Sequence, residues 1–403
     1  MRRLGLAEWV AMAGPITSGR YVRYSDAPGP GQIDRFEAQL AETMGVRHTL
    51  TMTNGTAALV SILAAAGIGP GDEVIVPTFT WVATAIAPLA VGAVPVLADI
   101  DETMTLDPTD LPRRLSPHTK AIIVVHMANA VCNMEAVNAF AQKHGLMVFE
   151  DACQAVGVQY KGRYCGTLSQ AGAFSFNAYK NLSSGEGGAV LTNDTQLFTR
   201  ARTYHDCGDY GRGSDSDKEP AFVGFNFKAH EMQGAVLNVQ LRKLGPYIEG
   251  LKRRRAMLAA MLADRPDCTI SPHHDPAAAC NLSLLFETEE AAIAFAQHRG
   301  VARLKDSGKH LFTNWQSILN KRTAHPKMNP WAWAHRDIDY SASRYLRTLD
   351  ILSRTCRVEL GGRWPLPVVY AYGRWLKERL CVARTAPLSP GSGPGGGGLG
   401  HKS

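Results

Sequence analysis

A chain of 403 residues, 45% hydrophobic and 20% charged, has the composition of a soluble globular protein with room for one large domain and a smaller one. Its 43 Lys and Arg against 36 Asp and Glu give a formal charge of +7, but the one basic block, 252–255, falls in an expected helix; this spread argues against a nucleic-acid surface and suits an anionic substrate or cofactor. The eight cysteines form no Cys-x-x-Cys pair, which speaks for reduced thiols in a cytoplasm, and the longest apolar run, 83–97, is too short to cross a bilayer and contains Pro88 and Pro95.

In chain order, MRRLGLAEWVAMAG carries two arginines and an Ala-x-Ala, yet its apolar stretch is short and broken by Glu8, so a helix is expected there. Six apolar runs then read as buried strands: DEVIVP (72–77), VPVLAD (94–99), AIIVVHM (121–127), LMVFED (146–151), GAFSFN (172–177) and GAVLTN (188–193). Helices are expected between them at 56–66 and 134–144, the latter with Met134, Val137, Phe140 and Ala141 at helical spacing. The alternation predicts an α/β fold, a mainly parallel sheet with helices on both faces, in a large domain 1–245 that includes an N-terminal arm. The last strand can run either way, because GEGG permits a turn. A helix is expected over 224–244. Residues 246–385 are assigned to a smaller α/β domain holding a basic helix, the strand-like NLSLLFET and a Trp- and His-rich region. The Gly- and Pro-rich tail 386–403 is expected to be disordered.

Ligands of such sheets gather beyond the carboxyl ends of the strands. Gly55 and Thr56, in TNGTAAL, stand where a loop enters a helix, whose free amides and positive dipole end attract an anion; many helices begin this way and hold nothing. Trp81 is expected at the end of a buried strand, either stacked on a flat ring or packed in the core. Asp151 and Gln154 lie three apart, so a helix start or turn aims both one way: a carboxylate for a ring nitrogen and an amide for a phenolic oxygen, or simply a helix cap. Ser175 and Lys180 in SFNAYK add a hydroxyl and an amine, the latter otherwise a solvated surface lysine. Together these are the groups that pyridoxal 5'-phosphate requires. No metal is expected.

The chain resembles the DegT/StrS family of pyridoxal-phosphate-dependent sugar and cyclitol aminotransferases, on ITSGRYVRY (16–24), DRFEAQLAETMGV (34–46), GIGPGDEVIVPTFTWVATA (67–85) and GFNFKAHEMQGAV (224–236). The resemblance implies the aspartate aminotransferase fold and a role for each matching position. Lys180 would hold the cofactor as a Schiff base and shuttle a proton, Asp151 would pair with the ring nitrogen, and Gln154 with the ring oxygen. Trp81 would stack on the ring. Gly55, Thr56 and Ser175 would bind phosphate, and Asn226 would reach the phosphate of a partner subunit, implying a homodimer with shared sites. Relatives that remove a sugar hydroxyl carry histidine where Lys180 stands, so amino transfer from glutamate or glutamine to a keto sugar or cyclitol is favoured. Such a reaction belongs to amino-sugar, antibiotic or surface-polysaccharide biosynthesis. The alternatives are a dehydratase or lyase on the same cofactor, and a non-catalytic regulatory relative. SSGEGGAV (183–190) resembles the branch with glutamine-dependent cyclitol enzymes; its Glu186 either meets substrate or satisfies the loop. VHMANAVCNM (125–134) departs from the family, with Asn129 for a glycine and Asn133 for an acid, so its turn is expected to differ. Lys309 and His310 either bind a hydroxyl-rich or phosphorylated acceptor or join a structural His–Trp cluster.

Overall fold

The computed structural model describes residues 4–24, 28–208, 222–263, 265, 267–362 and 364–382; the expected tail lies outside them. All six expected strands form, as β2 (Glu73–Pro77), β3 (Val94–Ala98), β4 (Thr119–Val125), β5 (Met147–Asp151), β8 (Ala171–Ser175) and β9 (Gly188–Thr192). They share one sheet with β1 (His48–Met52), in the order β1-β9-β8-β5-β4-β2-β3. A short hairpin, β6 (Gln159–Tyr160) and β7 (Arg163–Tyr164), lies outside it. The pairs from β3 to β8 are parallel, whereas β9 runs antiparallel to both neighbours, which settles the direction that GEGG left open. Helix Met134–His144 forms with Met134, Val137 and Ala141 buried, and Phe140 packed against the core.

Within 125–134 a tight turn forms over Met127–Asn129. Asn129 takes a left-handed backbone with φ of 71°, which asparagine tolerates better than most residues, and Asn133 caps the next helix by accepting from Ala136 N at 3.1 Å, the task an acid would perform. The expected helix over 224–244 needs correction. It begins only at Glu231, capped by His230, and runs unbroken to Leu262 through Pro246. Before it the chain is extended because its backbone is bonded elsewhere: Phe225 N donates to the Tyr204 carbonyl at 2.7 Å, and Phe227 N to that of His205 at 2.9 Å. Tertiary partners thus override local helix preference.

A second, antiparallel sheet follows the long helix. Its strands β10 (Cys268–Ile270), β11 (Ser283–Phe286), β12 (Val301–Arg303) and β13 (Thr355–Val358) lie in the order β10-β11-β13-β12. Helix Leu366–Val382 packs back on helix Glu231–Leu262. Arg336 ties the two regions by a bidentate pair to Glu73, at 2.7 and 2.8 Å, on a carboxylate only 1% exposed. Among the described residues, seven cysteines are free thiols, and no helix is long and apolar enough to cross a membrane.

The expected N-terminal helix spans Leu6–Ser18 and docks on the long helix through Glu8. Burial would raise the Glu8 carboxyl, but bonds from Lys243, from Gln240 at 2.7 Å and from the Gly5 amide at 2.8 Å outweigh it and bring it to about 2. A depressed pKa stabilises the fold fully above the ordinary value of 4.5 and loses that contribution as pH falls toward 2. Hydrogen exchange of helix Leu6–Ser18 is therefore expected to accelerate between about pH 5 and 3, a response that Glu8→Gln should flatten. Exchange that stays pH-independent in the parent, after correction for intrinsic rates, would remove Glu8 as the latch.

Candidate active site

The parallel strands end on one edge of the large sheet, so Asp151 and Ser175, the last residues of β5 and β8, stand on neighbouring strands. Asp151 is 5% exposed. Its Oδ2 accepts from Thr84 Oγ1 at 2.6 Å and its Oδ1 from Cys153 N at 3.2 Å. Thr84 sits in the first turn of helix Ala83–Ala90 and lies 2.6 Å from Thr80 Oγ1. Since Thr84 gives its proton to the carboxylate, Thr80 donates to Thr84, and two hydroxyls orient one acid.

Gln154 follows in a turn, where its Oε1 accepts from Ala128 N at 3.2 Å. Its Nε2 has no partner among the described residues, so an amide donor is left to offer. Lys180 lies in the loop after β8, half-buried, with its amide bonded to the Asn177 carbonyl at 2.9 Å. Among the described residues its Nζ makes no hydrogen bond or ion pair. Cys153, whose amide donates to Asp151, is buried. Burial and the Asp151 charge push its thiol well above the usual range, while the Lys180 charge pulls it down.

Gly55 is the first residue of helix Gly55–Ala65, and Asn54 caps that helix by accepting from Ala57 N at 2.8 Å. A Cβ at Gly55 would lie 2.7 Å from Cys153 Sγ and 3.0 Å from Ser175 Cβ, so the helix start is pressed onto the strand ends beside the Ser175 hydroxyl. From below, a Cβ at Gly188 would lie 2.6 Å from Gly55 N; this glycine permits close approach. The amides of Gly55 and Thr56 have no acceptor among the described residues.

Trp81 departs from expectation. Strand β2 ends at Pro77, and Trp81 lies four residues later in a loop, 42% exposed, neither at a strand end nor in the core. The loop is held by Thr80 N donating to the His310 carbonyl at 2.9 Å and Val82 N to that of Lys309 at 3.2 Å. The indole and His310 rings are 5.1 Å apart, and Lys309 Nζ is 5.8 Å from the indole centroid. The His–Trp cluster thus joins the second sheet's region to the edge of the first. Glu186 is bonded within its own loop, accepting from Asn177 Nδ2 at 2.7 Å. Asn226 is not brought to this group within the chain: it is exposed, with Oδ1 accepting from Lys228 N at 3.4 Å.

Sequence reasoning overlooked Thr84, Cys153 and Gly188. The first two stood beside residues already singled out, but nothing in their spacing shows a bond across the sheet; Gly188 was read as a turn residue, when helix-to-strand approach is what requires it. Between the two sheets, next to His310 and Ala128, lies a cavity of about 450 Å³. Phe79, Met104 and Met127 line one side, and Ser283, Arg357 and His310 the other. Burial, helped by the charges of Lys180 and Arg357, holds the His310 imidazole below its usual value against the pull of the Ser307 carbonyl.

A family model described as the DegT/DnrJ/EryC1/StrS aminotransferase family matches residues 26–308. The chain is 40% identical over 271 residues to an L-glutamine:2-deoxy-scyllo-inosose aminotransferase of Streptomyces paromomycinus, covering 64% of each chain. It is 38% identical over 244 residues to a GDP-perosamine synthase of Caulobacter vibrioides, covering 60% of this chain and 64% of that one. It thus spans less than two thirds of the length of these curated relatives. A crystal structure of 3-amino-5-hydroxybenzoic acid synthase superposes with a TM-score of 0.78 at 27% identity, over 96% of this chain and 98% of that one.

Proposed function

This chain belongs to the DegT/DnrJ/EryC1/StrS aminotransferase family, and from that premise we propose that it is a pyridoxal-5'-phosphate-dependent aminotransferase moving an amino group from glutamate or glutamine to a keto sugar or keto cyclitol. The observation that carries the reading is the packing of the helix start at Gly55 against Cys153 and Ser175, beside the Asp151 carboxylate that Thr84 orients. The residues fit the cofactor: an amine without a partner, a buried carboxylate oriented by Thr84, and two unclaimed amides beside a hydroxyl at a helix start. When bound, pyridoxal phosphate supplies an electron sink for the pair released as the donor's α-proton leaves.

The chain's own residues do the rest. Gly55, Thr56 and Ser175 would hold the phosphate, and Trp81 would stack on the ring. Gln154 would donate to the ring oxygen. Asp151 would keep a proton on the ring nitrogen, because an anion beside that nitrogen favours its protonated form. Lys180 Nζ would carry the proton from the donor's α-carbon to the cofactor within the same half-reaction, and would run that transfer in reverse, toward the acceptor's carbon, in the second half. The name of the Streptomyces relative favours L-glutamine as donor; the two relatives' names divide between a cyclitol and a GDP-linked sugar, so the acceptor class spans both. We place the protein in the cytoplasm as a homodimer. The free thiols support the first. Tyr179, 87% exposed beside Lys180, and Phe225, exposed beside Asn226, support the second by offering apolar surface to another copy; a solution mass of one chain by light scattering would refute it.

Adding L-glutamine, then L-glutamate, to the cofactor-loaded protein is expected to bleach the visible cofactor band and release the matching keto acid. A band that no amino acid alters would overturn the reading and favour a regulatory relative.

A further inference from the structure

The floor of the cavity between the two sheets is one cross-strand row of the smaller sheet. In the register, Arg357 of β13 stands opposite Ser283 of β11 on one side and Ala302 of β12 on the other, and all three line the cavity. Strand alternation fixes the direction. Cys356 and Val358 are buried, with Cys356 Sγ bonded to the Ala292 carbonyl at 3.2 Å, so Arg357 projects from the opposite face. Its neighbours in the row are too small to reach the guanidinium. The other arginine of the cavity, Arg303, is closed by Glu289 at 2.8 Å and Asp306 at 2.7 Å, which also occupies the cavity's carboxylate. Arg357 itself makes no side-chain hydrogen bond or ion pair among the described residues. Its side chain is exposed on the cavity side, and the protein around it still lowers its pKa against the pull of Glu359.

A planar fork of five donors without an acceptor is matched to a bidentate oxyanion. We propose that Arg357 is the oxyanion-binding residue of this cavity, receiving a carboxylate or phosphate of the molecule whose reacting end lies at Lys180. The assignment of the reacting end rests on the aminotransferase reading. His310 supplies the link, since it lines the cavity with Arg357 and its ring lies 5.1 Å from the Trp81 indole. The shared chemistry has two sources, the α-carboxylate of the amino donor and the phosphate of a phosphorylated acceptor.

Calorimetric titration of the cofactor-loaded enzyme with 2-oxoglutarate, and in a second arm with inorganic phosphate, reads the site without turnover. Arg357→Ala is expected to weaken one anion by about 10- to 100-fold, with Arg357→Lys in between and the cofactor absorbance of both variants unchanged. A loss confined to 2-oxoglutarate assigns the subsite to the donor; a loss confined to phosphate assigns it to the acceptor. Unaltered affinity for both anions in Arg357→Ala, or no binding of either by the parent, overturns the proposal. If Arg357→Ala loses the anion but no amino acid aminates the parent's cofactor, the subsite stands and the aminotransferase reading falls. If the parent transfers amino groups and Arg357→Ala does so with unchanged KM for both substrates, the reading stands and the subsite falls.

Discussion

Lys180→Ala is expected to abolish the lysine-linked visible band of the cofactor and to lower amino transfer by about a thousandfold or more. The expectation follows from what surrounds the amine. Lys180 Nζ has no partner among the described residues, so the substitution breaks no ion pair, and its loop is closed by backbone bonds such as Ala178 N to the Gly185 carbonyl at 2.8 Å, which alanine preserves. Stability should therefore be unchanged, and the loss will report on chemistry. One competitor is Lys309, whose Nζ stands over Trp81 at 5.8 Å. Borohydride reduction of the loaded protein, followed by mapping of the modified peptide, separates the two: the label belongs on Lys180 and persists in Lys309→Ala. Normal turnover by Lys180→Ala would end the mechanistic assignment.

Asp151→Asn is the second large effect. The substitution is nearly isosteric and keeps an acceptor for the Cys153 amide or the Thr84 hydroxyl, so the cofactor should still bind. The negative charge is what disappears. An opposite charge at close range is worth one to three pKa units to the protonated ring nitrogen, so kcat is expected to fall by about 10²- to 10³-fold at saturating donor. Because Asp151 is buried, unfolding curves must be taken alongside; a loss of kcat in a variant that melts with the parent isolates the electrostatic role. A kcat within threefold of the parent would mean that the carboxylate only braces Thr84 and the Cys153 turn.

The parts of the fold that were legible in the sequence are those where local chemistry and burial agree. The six predicted strands are continuous apolar runs, and the helix at 134–144 shows its buried face in its spacing. Strand β1 was overlooked because Thr49 and Thr51 interrupt its apolar pattern; both are buried, Thr49 with its hydroxyl donating to the Glu37 carbonyl at 2.9 Å and Thr51 with its amide donating to Glu37 Oε1 at 2.5 Å. Those partners lie more than ten residues upstream, where no period reveals them. The site divides the same way. Asp151, Ser175 and Lys180 follow from strand ends, since a parallel sheet presents its carboxyl edge to one side. The position of Trp81 did not, because it is set by bonds to a segment more than 220 residues later. Arg357 carried no signal at all: its vacancy depends on having serine and alanine across from it, a property of register that composition does not contain.

Three main-chain bonds lace 78–82 to 309–312: Phe312 N to the Thr78 carbonyl at 3.1 Å, Thr80 N to His310 and Val82 N to Lys309, around the Phe79–Leu311 bridge. The stretch that presents the indole and the stretch that bounds the space beyond it are therefore a single mechanical piece. On the proposed reading, any exchange of residues 307–312 to broaden acceptor range also re-tilts Trp81, so tolerance for new sugars and grip on the vitamin will vary together. Library design on this protein has to treat the two as one trait.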